Sequence, residues 1–384
     1  MVGVVAAGDA ACEILPKVDR DAPGDAVALR RQLIRMLDIA HDVPIADDAA
    51  TALDTQNDTL LEILIRRFTT LLESALGQGV PRAYVPHAED LPNLRGRLDV
   101  LRQFTTLAAS PQRLASRYDE FSADIPLNQL MRAAVLILRH RARQGSTQRR
   151  LAELAFVYAD ISPVSPSRLV AHKFVSDRHN ARWMALIRLA KLIVGGRFQS
   201  TAQGPDDGFA LLFDMNVLFE RYVTNLLRPI ADERRWDMRA QSGGRECLYP
   251  EDLAKPVFDT LPDIQLLTGD AVDVIIDTKW KRLRDRGANA KMDVDQADIY
   301  QMIAYASLYR CERLVLIYPH HDGLRSPLPV HFRIGAFDQP VRLTIASVAL
   351  ESHASARASL SALLSTHLRP TGDGREEIER SLVA

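Results

Sequence analysis

The sequence predicts a mixed α/β protein of two domains. Residues 1–200 are expected to form a mainly helical domain with short strands, and residues 201–384 a mixed sheet flanked by helices. Three observations lead to this prediction. At 384 residues the chain is longer than one hydrophobic core usually organises. Gly, Pro and Asp cluster at residues 198–208, between segments of regular apolar spacing. Beyond this cluster, the order helix, strand, strand, helix, strand is typical of a central mixed sheet.

The first domain begins with short strands and continues in amphipathic helices. Residues 2–18 alternate in polarity, which indicates one or two strands with a hairpin at Gly8 and Asp9. Apolar residues then recur at helical spacing, most clearly in TLLEILIRRFTTLLESAL, for which Asn57 or Asp58 is the predicted N-cap. The other helical segments are ALRRQLIRMLDIAH, SADIPLNQLMRAAVLILRHRAR and NARWMALIRLAKLIVGG. The proline-rich residues 81–92 are predicted to be a link between helices.

The second domain has the sequence pattern of a sheet covered by helices. The segment MNVLFERYVTNLLRP predicts a helix, and DIQLL, VDVIIDTKW and RLVLIYP predict apolar strands. Another helix, QADIYQMIAYASLYR, lies between the last two strands. Such a crossover suits a parallel pair of strands inside a mixed sheet.

The composition is that of an ordinary globular protein, 47% apolar and 25% charged. Cys12, Cys247 and Cys311 lie far apart and form no CxxC pair, which argues against disulfides or a thiolate zinc site and favours a reducing compartment. The first residues lack the pattern of an export leader, and no segment approaches the roughly 18 apolar residues of a membrane span. We therefore expect a cytoplasmic protein with no membrane segment.

The net charge of −1 gives no global attraction to nucleic acid, so any such contact must come from local basic surfaces. Two stretches qualify, RHRARQGSTQRR and KWKRLRDRGANAK. The second contains the candidate DNA-contacting residues Lys281, Arg282, Arg284 and Arg286. Each stretch alone is equally compatible with a solvated surface.

The most informative segment is LPDIQLLTGDAVDVIIDTKWKRL. Asp277 and Lys279 are two residues apart in a predicted strand, so both point to one face of the sheet. Whether Asp263 joins them depends on the hairpin between the strands. An odd-numbered loop around Gly269 places Asp263 on the face of Asp277, whereas a two-residue loop places it on the other face.

Two carboxylates and a lysine on one face suit phosphodiester hydrolysis. Oxygen ligands hold Mg²⁺, which polarises the phosphate and lowers the pKa of the attacking water. The lysine supplies positive charge that orients this water and stabilises the transition state. A surface ion pair of Asp277 with Lys279 or Lys281 is the alternative for a lone D-x-K motif.

Several features together resemble the PD-(D/E)xK nuclease superfamily, whose fold is restriction-endonuclease-like. Pro262 precedes Asp263, an apolar strand leads into D-T-K, and a helix with Gln301 and Tyr305 follows. The last two residues are one turn apart, so they share a helix face and can reach a phosphate or a catalytic side chain. Glu220 lies on the preceding helix, where such nucleases often carry an additional acidic ligand. An ordinary surface glutamate fits its position equally well.

The resemblance extends over most of the chain. The segments ILPKVD, RMLDIAHDV, LRGRLDV, YDEFSADIPLNQL, FDMNVLFERYV, PDIQL, IIDTKWKRL, QADIYQMIAYA and LVLIYPH are, in this order, similar to those of the McrC family, the nuclease subunits of McrBC 5-methylcytosine restriction systems. The resemblance implies a hexameric McrB-like AAA+ partner that hydrolyses GTP and reads the modified base. It also implies that this chain stimulates GTP hydrolysis and cuts double-stranded DNA carrying modified bases, with Mg²⁺ as cofactor.

The family engages its partner through the amino-terminal domain, in which Arg95 and Arg97 are the candidate contacts. A turn at Gly96 with a local ion pair between Arg97 and Asp99 explains the same motif nearly as well. The chain has no GxxxxGK[ST] loop and is not expected to bind GTP itself.

Other interpretations remain open. His320 and His321 after the last strand suggest a metal site, although solvent-facing histidines are more common there. The chain could be a PD-(D/E)xK nuclease that works in DNA repair with a different motor. It could also be an adaptor that activates a ring NTPase and carries a vestigial nuclease site.

Overall fold

The computed structural model describes residues 1–7, 10–17, 26–43, 58–175, 181–196, 209–248, 251, 258–287, 289–325, 328–335, 337 and 340–367. The helices of these residues are α1 Ala26–His41, α2 Leu60–Leu76, α3 Val100–Phe104, α4 Pro126–Arg139, α5 Gly145–Val157, α6 Pro166–Ala171, α7 Met184–Gly195, α8 Met215–Glu233, α9 Gln296–Tyr309 and α10 His353–His367. The strands are β1 Val2–Ala7, β2 Ala10–Ile14, β3 Ala83–Leu91, β4 Arg97–Leu98, β5 Leu114–Ser122, β6 Phe209–Phe213, β7 Asp237–Ala240, β8 Arg245–Leu248, β9 Phe258–Thr260, β10 Ile264–Thr268, β11 Ala271–Thr278, β12 Arg313–Pro319, β13 Val330–Ile334 and β14 Val341–Val348. None of the helices in this part of the chain has the length and apolarity that crossing a membrane requires.

The chain folds into two compact units that are both discontinuous in sequence. The first unit comprises residues 1–3, 13–52 and 212–384, and the second comprises residues 4–12 and 53–211. The predicted boundary at residues 198–208 lies outside the described residues. Helix α1 packs along α8 and so belongs with the carboxy-terminal part of the chain. The sequence does not show this, because apolar spacing reveals that a helix has a buried face but not which element covers that face. The division of roles between residues 1–200 and 201–384 stays a prediction.

The second unit is mainly helical, as predicted, but its proline-rich stretch is a strand. Residues 83–91 form β3, which pairs along its whole length with β5 in a sheet of order β3-β5-β4. Pro86 is tolerated because β3 is an edge strand and has a free side on which no ladder hydrogen bond is needed. The N-cap of α2 is Thr59, whose side chain accepts a hydrogen bond from the Glu62 amide, while Asp58 pairs with Arg66 at 2.5 Å. Asn57 lies outside the described residues.

The first unit is built on a six-stranded sheet of order β13-β14-β12-β11-β10-β7. Strands β11, β12 and β14 run parallel, and the other neighbouring pairs are antiparallel. The predicted helix, the three predicted strands and the helix between the last two are confirmed as α8, β10, β11, β12 and α9. Three further strands, β7, β8 and β9, lie between α8 and β10, and β7 joins the sheet. Helix α9 packs on the sheet through Met302, Tyr305 and Tyr309. This packing places the middle of α9 over the end of the central strand β11.

Two smaller sheets complete the described structure. Strands β2, β1 and β6 form one in that order, and β8 pairs with β9 in the other. The predicted neighbouring strands at the amino terminus are β1 and β2, and the predicted turn at Gly8 and Asp9 lies outside the described residues.

Candidate active site

A β-bulge sets the register of the hairpin that carries both aspartates. The loop has two residues, Gly269 and Asp270, because Thr268 pairs with Ala271. A regular two-residue hairpin would put Asp263 and Asp277 on opposite faces. One extra residue, Asp273, stands in β11 between the positions opposite Leu266 and Leu267. The register then pairs Ile264 with Ile276, so Asp263 lies opposite Asp277.

Arg313 holds this bulge from the neighbouring strand. Its Nε donates to the Asp273 carbonyl at 3.2 Å, and its Nη2 lies 3.4 Å from Asp273 Oδ1. The other carboxylate oxygen of Asp273 accepts a hydrogen bond from Thr268 Oγ1. The extra residue is therefore fixed by side-chain and backbone contacts, and the register with it.

Asp263 is tied to the end of β11. Its Oδ2 accepts hydrogen bonds from the Thr278 amide at 2.8 Å and from Thr278 Oγ1 at 2.9 Å. Burial raises the pKa of Asp263, although the Thr278 hydrogen bonds and the Lys279 charge lower it. These hydrogen bonds fix the Asp263 carboxylate beside Thr278, the neighbour of Asp277 on β11. Sequence reasoning missed Thr278, because only the bulged register brings it to Asp263.

Asp277 and Lys279 form a buried ion pair at the end of β11. Lys279 Nζ lies 2.6 Å from Asp277 Oδ2, and the Asp277 side chain is only 1% exposed. Burial and the negative charge of Asp263 raise the pKa of Asp277 to about 6, against the opposing effect of Lys279. The two carboxylates thus repel one another when both are ionised.

Gln301 and Tyr305 extend this pair into a chain of hydrogen bonds. Lys279 Nζ donates to Gln301 Oε1 at 3.0 Å, and Gln301 Nε2 donates to the Tyr305 hydroxyl at 2.8 Å. The hydroxyl in turn donates to the carbonyl of Leu261 at 3.2 Å, two residues before Asp263. The residues predicted to share one face of α9 therefore connect the lysine to the segment that carries the first aspartate.

Glu220 on α8 stands close enough to Asp263 for their charges to interact. Burial and the Asp263 charge raise the pKa of Glu220. Its Oε1 accepts a hydrogen bond from Gln241 Nε2 at 2.8 Å, and the Gln241 amide donates to the Asp263 carbonyl at 3.1 Å. Gln241 is a further residue that the sequence did not indicate, since it joins the site only through the pairing of β7 with β10.

The donor set fits a divalent cation of the Mg²⁺ type. In the described part of the chain, no three His, Cys, Asp or Glu side chains lie close enough together to hold a metal ion. Mg²⁺ is commonly held by only one or two carboxylates, with water and substrate phosphate oxygens as the other ligands. The buried Asp277 and the adjacent Asp263 supply two such oxygens, and a cation would relieve the repulsion that raises the pKa of Asp277.

The basic stretch after β11 is partly committed to ion pairs within the chain. Lys281 contacts Asp298 and Asp295 on the first turn of α9, and Arg284 Nε lies 2.8 Å from Asp293 Oδ2. Arg282 and Arg286 are exposed, as are Lys281 and Arg284. Contact of all four with DNA stays a prediction.

The two histidines after β12 have structural contacts. His321 is buried, with Nε2 at 2.9 Å from the Leu283 carbonyl and Nδ1 accepting a hydrogen bond from the Gly323 amide. His320 Nδ1 lies 3.1 Å from Ser347 Oγ. The metal interpretation does not hold, because both ring nitrogens of His321 are occupied and no three His, Cys, Asp or Glu side chains of the described residues lie close enough together to bind a metal.

Arg95 and Arg97 lie in the second unit, on the sheet β3-β5-β4. The Arg95 guanidinium lies 3.9 Å from the centre of the Tyr118 ring and 3.5 Å from Glu120. Asp99 pairs with Arg117 at 2.5 Å, so the expected local pair of Arg97 with Asp99 is wrong. The reason is register: β4 pairs with β5 so that Asp99 stands beside Ala115, and Arg117 is then its diagonal neighbour on the adjacent strand.

Gly96 is required between the two arginines. Its φ is +72°, and a Cβ at this position would lie 2.3 Å from the Arg117 carbonyl oxygen. Arg95, Gly96 and Arg97 line a cleft of about 880 Å³ together with Arg117 and Tyr118. Among the described residues, no acidic side chain pairs with Arg97. The sheet thus presents at least one exposed guanidinium to a partner.

Comparison with known proteins gives one family and one fold. The family model described as McrBC 5-methylcytosine restriction system component matches residues 1–319. A chain of the refined half-complex from the tetradecameric assembly of Thermococcus gammatolerans McrB AAA+ hexamers with bound McrC is similar at 22% sequence identity, with a TM-score of 0.62 over 94% of this chain and 82% of that chain. A chain of the cryo-EM structure of the Thermococcus gammatolerans McrBC complex matches at 29% identity, with a TM-score of 0.44 over 59% of this chain and 65% of that chain. No curated protein matches the chain. The likeness to the half-complex shows a shared fold.

Proposed function

Because the chain belongs to the family of McrBC 5-methylcytosine restriction system components, we propose that it is the DNA-cutting subunit of a modification-dependent restriction complex. It hydrolyses phosphodiester bonds with Mg²⁺ at a site built from Asp263, Asp277 and Lys279. It also stimulates GTP hydrolysis by a partner AAA+ protein.

One observation carries the nuclease proposal. Asp263 and Asp277 stand opposite each other on one face of the sheet, and Lys279 is held beside them by Asp277 and Gln301. In a surface ion pair, the carboxylate would not be buried to 1% exposure, and the ammonium group would not also be hydrogen-bonded to a side chain of a neighbouring helix, as Lys279 is to Gln301 of α9. The arrangement matches the chemistry expected of two metal-binding carboxylates with a fixed positive charge.

Each side chain has a distinct task in this reaction. Asp263 and Asp277 would hold the metal. The expected third ligand, Glu220, does not gather with them into a three-carboxylate cluster in the described residues, and it serves instead as an acidic neighbour of Asp263 held by Gln241. Bound Mg²⁺ would polarise the phosphate and lower the pKa of the attacking water. Lys279 orients this water and stabilises the negative charge that develops on the phosphate. Gln301 and Tyr305 keep the lysine in place.

The partner is proposed to be an McrB-like AAA+ GTPase hexamer that reads a modified base in double-stranded DNA. The half-complex that shares the fold contains McrB AAA+ hexamers with bound McrC. Arg95 and Arg97 lie on a sheet that also exposes the aromatic rings of Tyr84 and Phe121, which contact each other. Guanidinium and aromatic groups are enriched at the energetic centres of protein interfaces. We place this complex in the cytoplasm.

The test is cleavage by a complex reconstituted from this chain and an McrB-like AAA+ GTPase. Methylated and unmethylated DNA are incubated with Mg²⁺ and GTP, and cleavage and GTP turnover are measured together. Asp277→Ala and Lys279→Ala should each lower the cleavage rate by about a thousandfold while assembly and GTP turnover persist. Glu233→Ala is the matched control, because Glu233 forms an exposed ion pair with Arg357 on the surface of the same unit.

Three results would redirect the proposal. Wild-type cutting rates in either site variant would refute the assigned residues. GTP stimulation without any cleavage would favour the adaptor function. Cleavage that ignores the methylation state of the DNA would favour a nuclease that acts in repair with a different motor.

A further inference from the structure

Lys281, in the basic stretch after β11, is bound by the helix beside the site. Its Nζ lies 2.8 and 3.0 Å from the two carboxylate oxygens of Asp298, and 3.3 Å from Asp295 Oδ2. The Asp298 side chain is only 8% exposed, and Asp295 is the N-cap of α9. A lysine free to meet a DNA phosphate would have to leave a buried carboxylate without its cation, which is costly.

Lys281 and Lys279 both contact side chains of α9. The two lysines are separated by Trp280, whose ring packs edge-on against Phe219 of α8 at 5.4 Å between centroids. Successive side chains after β11 therefore alternate, with Trp280 toward α8 and both lysines toward α9. On α9, their partners Asp298 and Gln301 are three residues apart and share one helix face.

These contacts form two rungs between the end of β11 and the helix. Lys279 bonds to Gln301 in one rung, and Lys281 bonds to Asp298 in the other. Core packing through Met302, Tyr305 and Tyr309 holds the body of α9 on the sheet. The two polar contacts lie in the amino-terminal half of the helix, where they fix its position against the end of β11 and so support the Lys279 ammonium group.

We propose that Lys281 and Asp298 act as a positioning pair, which holds α9 against the end of β11 so that Lys279 keeps its place beside Asp277. The inference rests on the proposed nuclease function of the site. It assigns to Lys281 a role in aligning the site in place of the predicted contact with the DNA backbone. Contact of Arg282, Arg284 and Arg286 with the DNA backbone stays a prediction.

The experiment compares Lys281→Met, Asp298→Asn and the double variant in the reconstituted complex. Each single variant should lower the single-turnover cleavage rate by at least about 10-fold at saturating DNA. The double variant should lie within roughly 3-fold of the slower single variant, because both substitutions remove the same rung. DNA affinity and its salt dependence should remain those of the wild type. Lys281→Arg, which keeps the charge, should recover most of the rate.

Two controls separate positioning from folding and from DNA contact. Arg357→Met removes a surface ion pair of the same unit and should leave every measurement unchanged. If Lys281→Met instead weakens DNA binding and reduces the slope of log affinity against log salt by about one, Lys281 is a phosphate contact and the proposal is overturned. A wild-type rate in Lys281→Met, with Asp277→Ala inactive, overturns the positioning pair while the nuclease function stands.

A second measurement decides the inference even if the wild-type complex does not cut DNA. Hydrogen exchange of peptides covering α9 is compared between the wild-type full chain and Lys281→Met. Loss of the second rung should speed exchange at the amino-terminal end of α9 by at least roughly 3-fold. Equal exchange in both proteins would overturn the positioning pair.

Discussion

Replacing Tyr305 with phenylalanine removes a single oxygen atom from the chain of contacts that ends at Lys279. The hydroxyl accepts a hydrogen bond from Gln301 Nε2 at 2.8 Å and donates to the Leu261 carbonyl at 3.2 Å. Without it, the Gln301 amide loses the anchor that turns its oxygen toward Lys279 Nζ. The ring itself still fills its place in the core, because Tyr305 is only 3% exposed.

The magnitudes follow from these two contacts. A hydrogen bond within a folded protein contributes about 1 kcal/mol net, so losing two should lower the free energy of unfolding by about 1–3 kcal/mol. The cleavage rate should fall by about 10-fold to 100-fold, which corresponds to about 1.4–2.7 kcal/mol of lost transition-state stabilisation. The effect should be in the rate at saturating DNA and not in DNA affinity, because Tyr305 is buried.

Tyr309 provides the matched control for this substitution. It lies one turn further along α9 and is equally buried, with its hydroxyl 2.9 Å from the Thr260 carbonyl and 3.0 Å from the Arg245 amide nitrogen. Tyr309→Phe should therefore cost similar stability but leave cleavage near the wild-type rate. Single-turnover cleavage and urea unfolding are measured on both variants. Equal losses of rate, or no loss in Tyr305→Phe, would refute the positioning of Lys279 through Gln301.

Three further outcomes are expected. The pKa of Asp277 is raised to about 6 in the folded protein, so folding favours its protonated form. This contribution to the free energy of unfolding is fully present below about pH 4 and is lost as the pH rises through 6. Asp277→Asn should thus raise the free energy of unfolding by about 1–3 kcal/mol at pH 8 without Mg²⁺ and by far less at pH 4, and no gain in urea unfolding at pH 8 would contradict this. Replacing Arg282 and Arg286 with glutamine should weaken DNA binding evenly across sequences and reduce the slope of log affinity against log salt by about two, whereas a loss confined to one sequence would argue against backbone contact. Arg97→Ala in the full chain should lower stimulation of the partner's GTP turnover, and an unchanged turnover would remove Arg97 from the interface.

The parts of the site that follow from local spacing could be read from the sequence. Asp277 and Lys279 are two residues apart on a strand, and Gln301 and Tyr305 are four apart on a helix. The backbone geometry of each element alone puts such pairs on one face. The structure places both pairs together, and Lys279 bonds to Gln301 across the two elements.

The parts that depend on register or on distant partners could not be read in this way. The sequence does not decide the face of Asp263, because the bulge that decides it is held by Arg313 from a strand 40 residues further along the chain. Arg97 and Asp99 are close in sequence, yet Asp99 pairs with Arg117 from the neighbouring strand. The sequence does not reveal the partner of Lys281, because Asp298 lies 17 positions further along the chain.

Because of the bulge at Asp273, the hairpin has two possible registers, and only one of them gives an active site. A hairpin that slips by one residue places Asp263 on the opposite face, so a molecule in the slipped register has no second carboxylate and is inactive. A molecule in the native register is fully active. Loosening the bulge, for example by Arg313→Ala, should therefore reduce the amplitude of a single-turnover reaction and leave its rate constant unchanged. A defect in this hairpin would lower the fraction of molecules that can cleave DNA. The amplitude of the single-turnover reaction therefore measures the fraction of molecules in the native register.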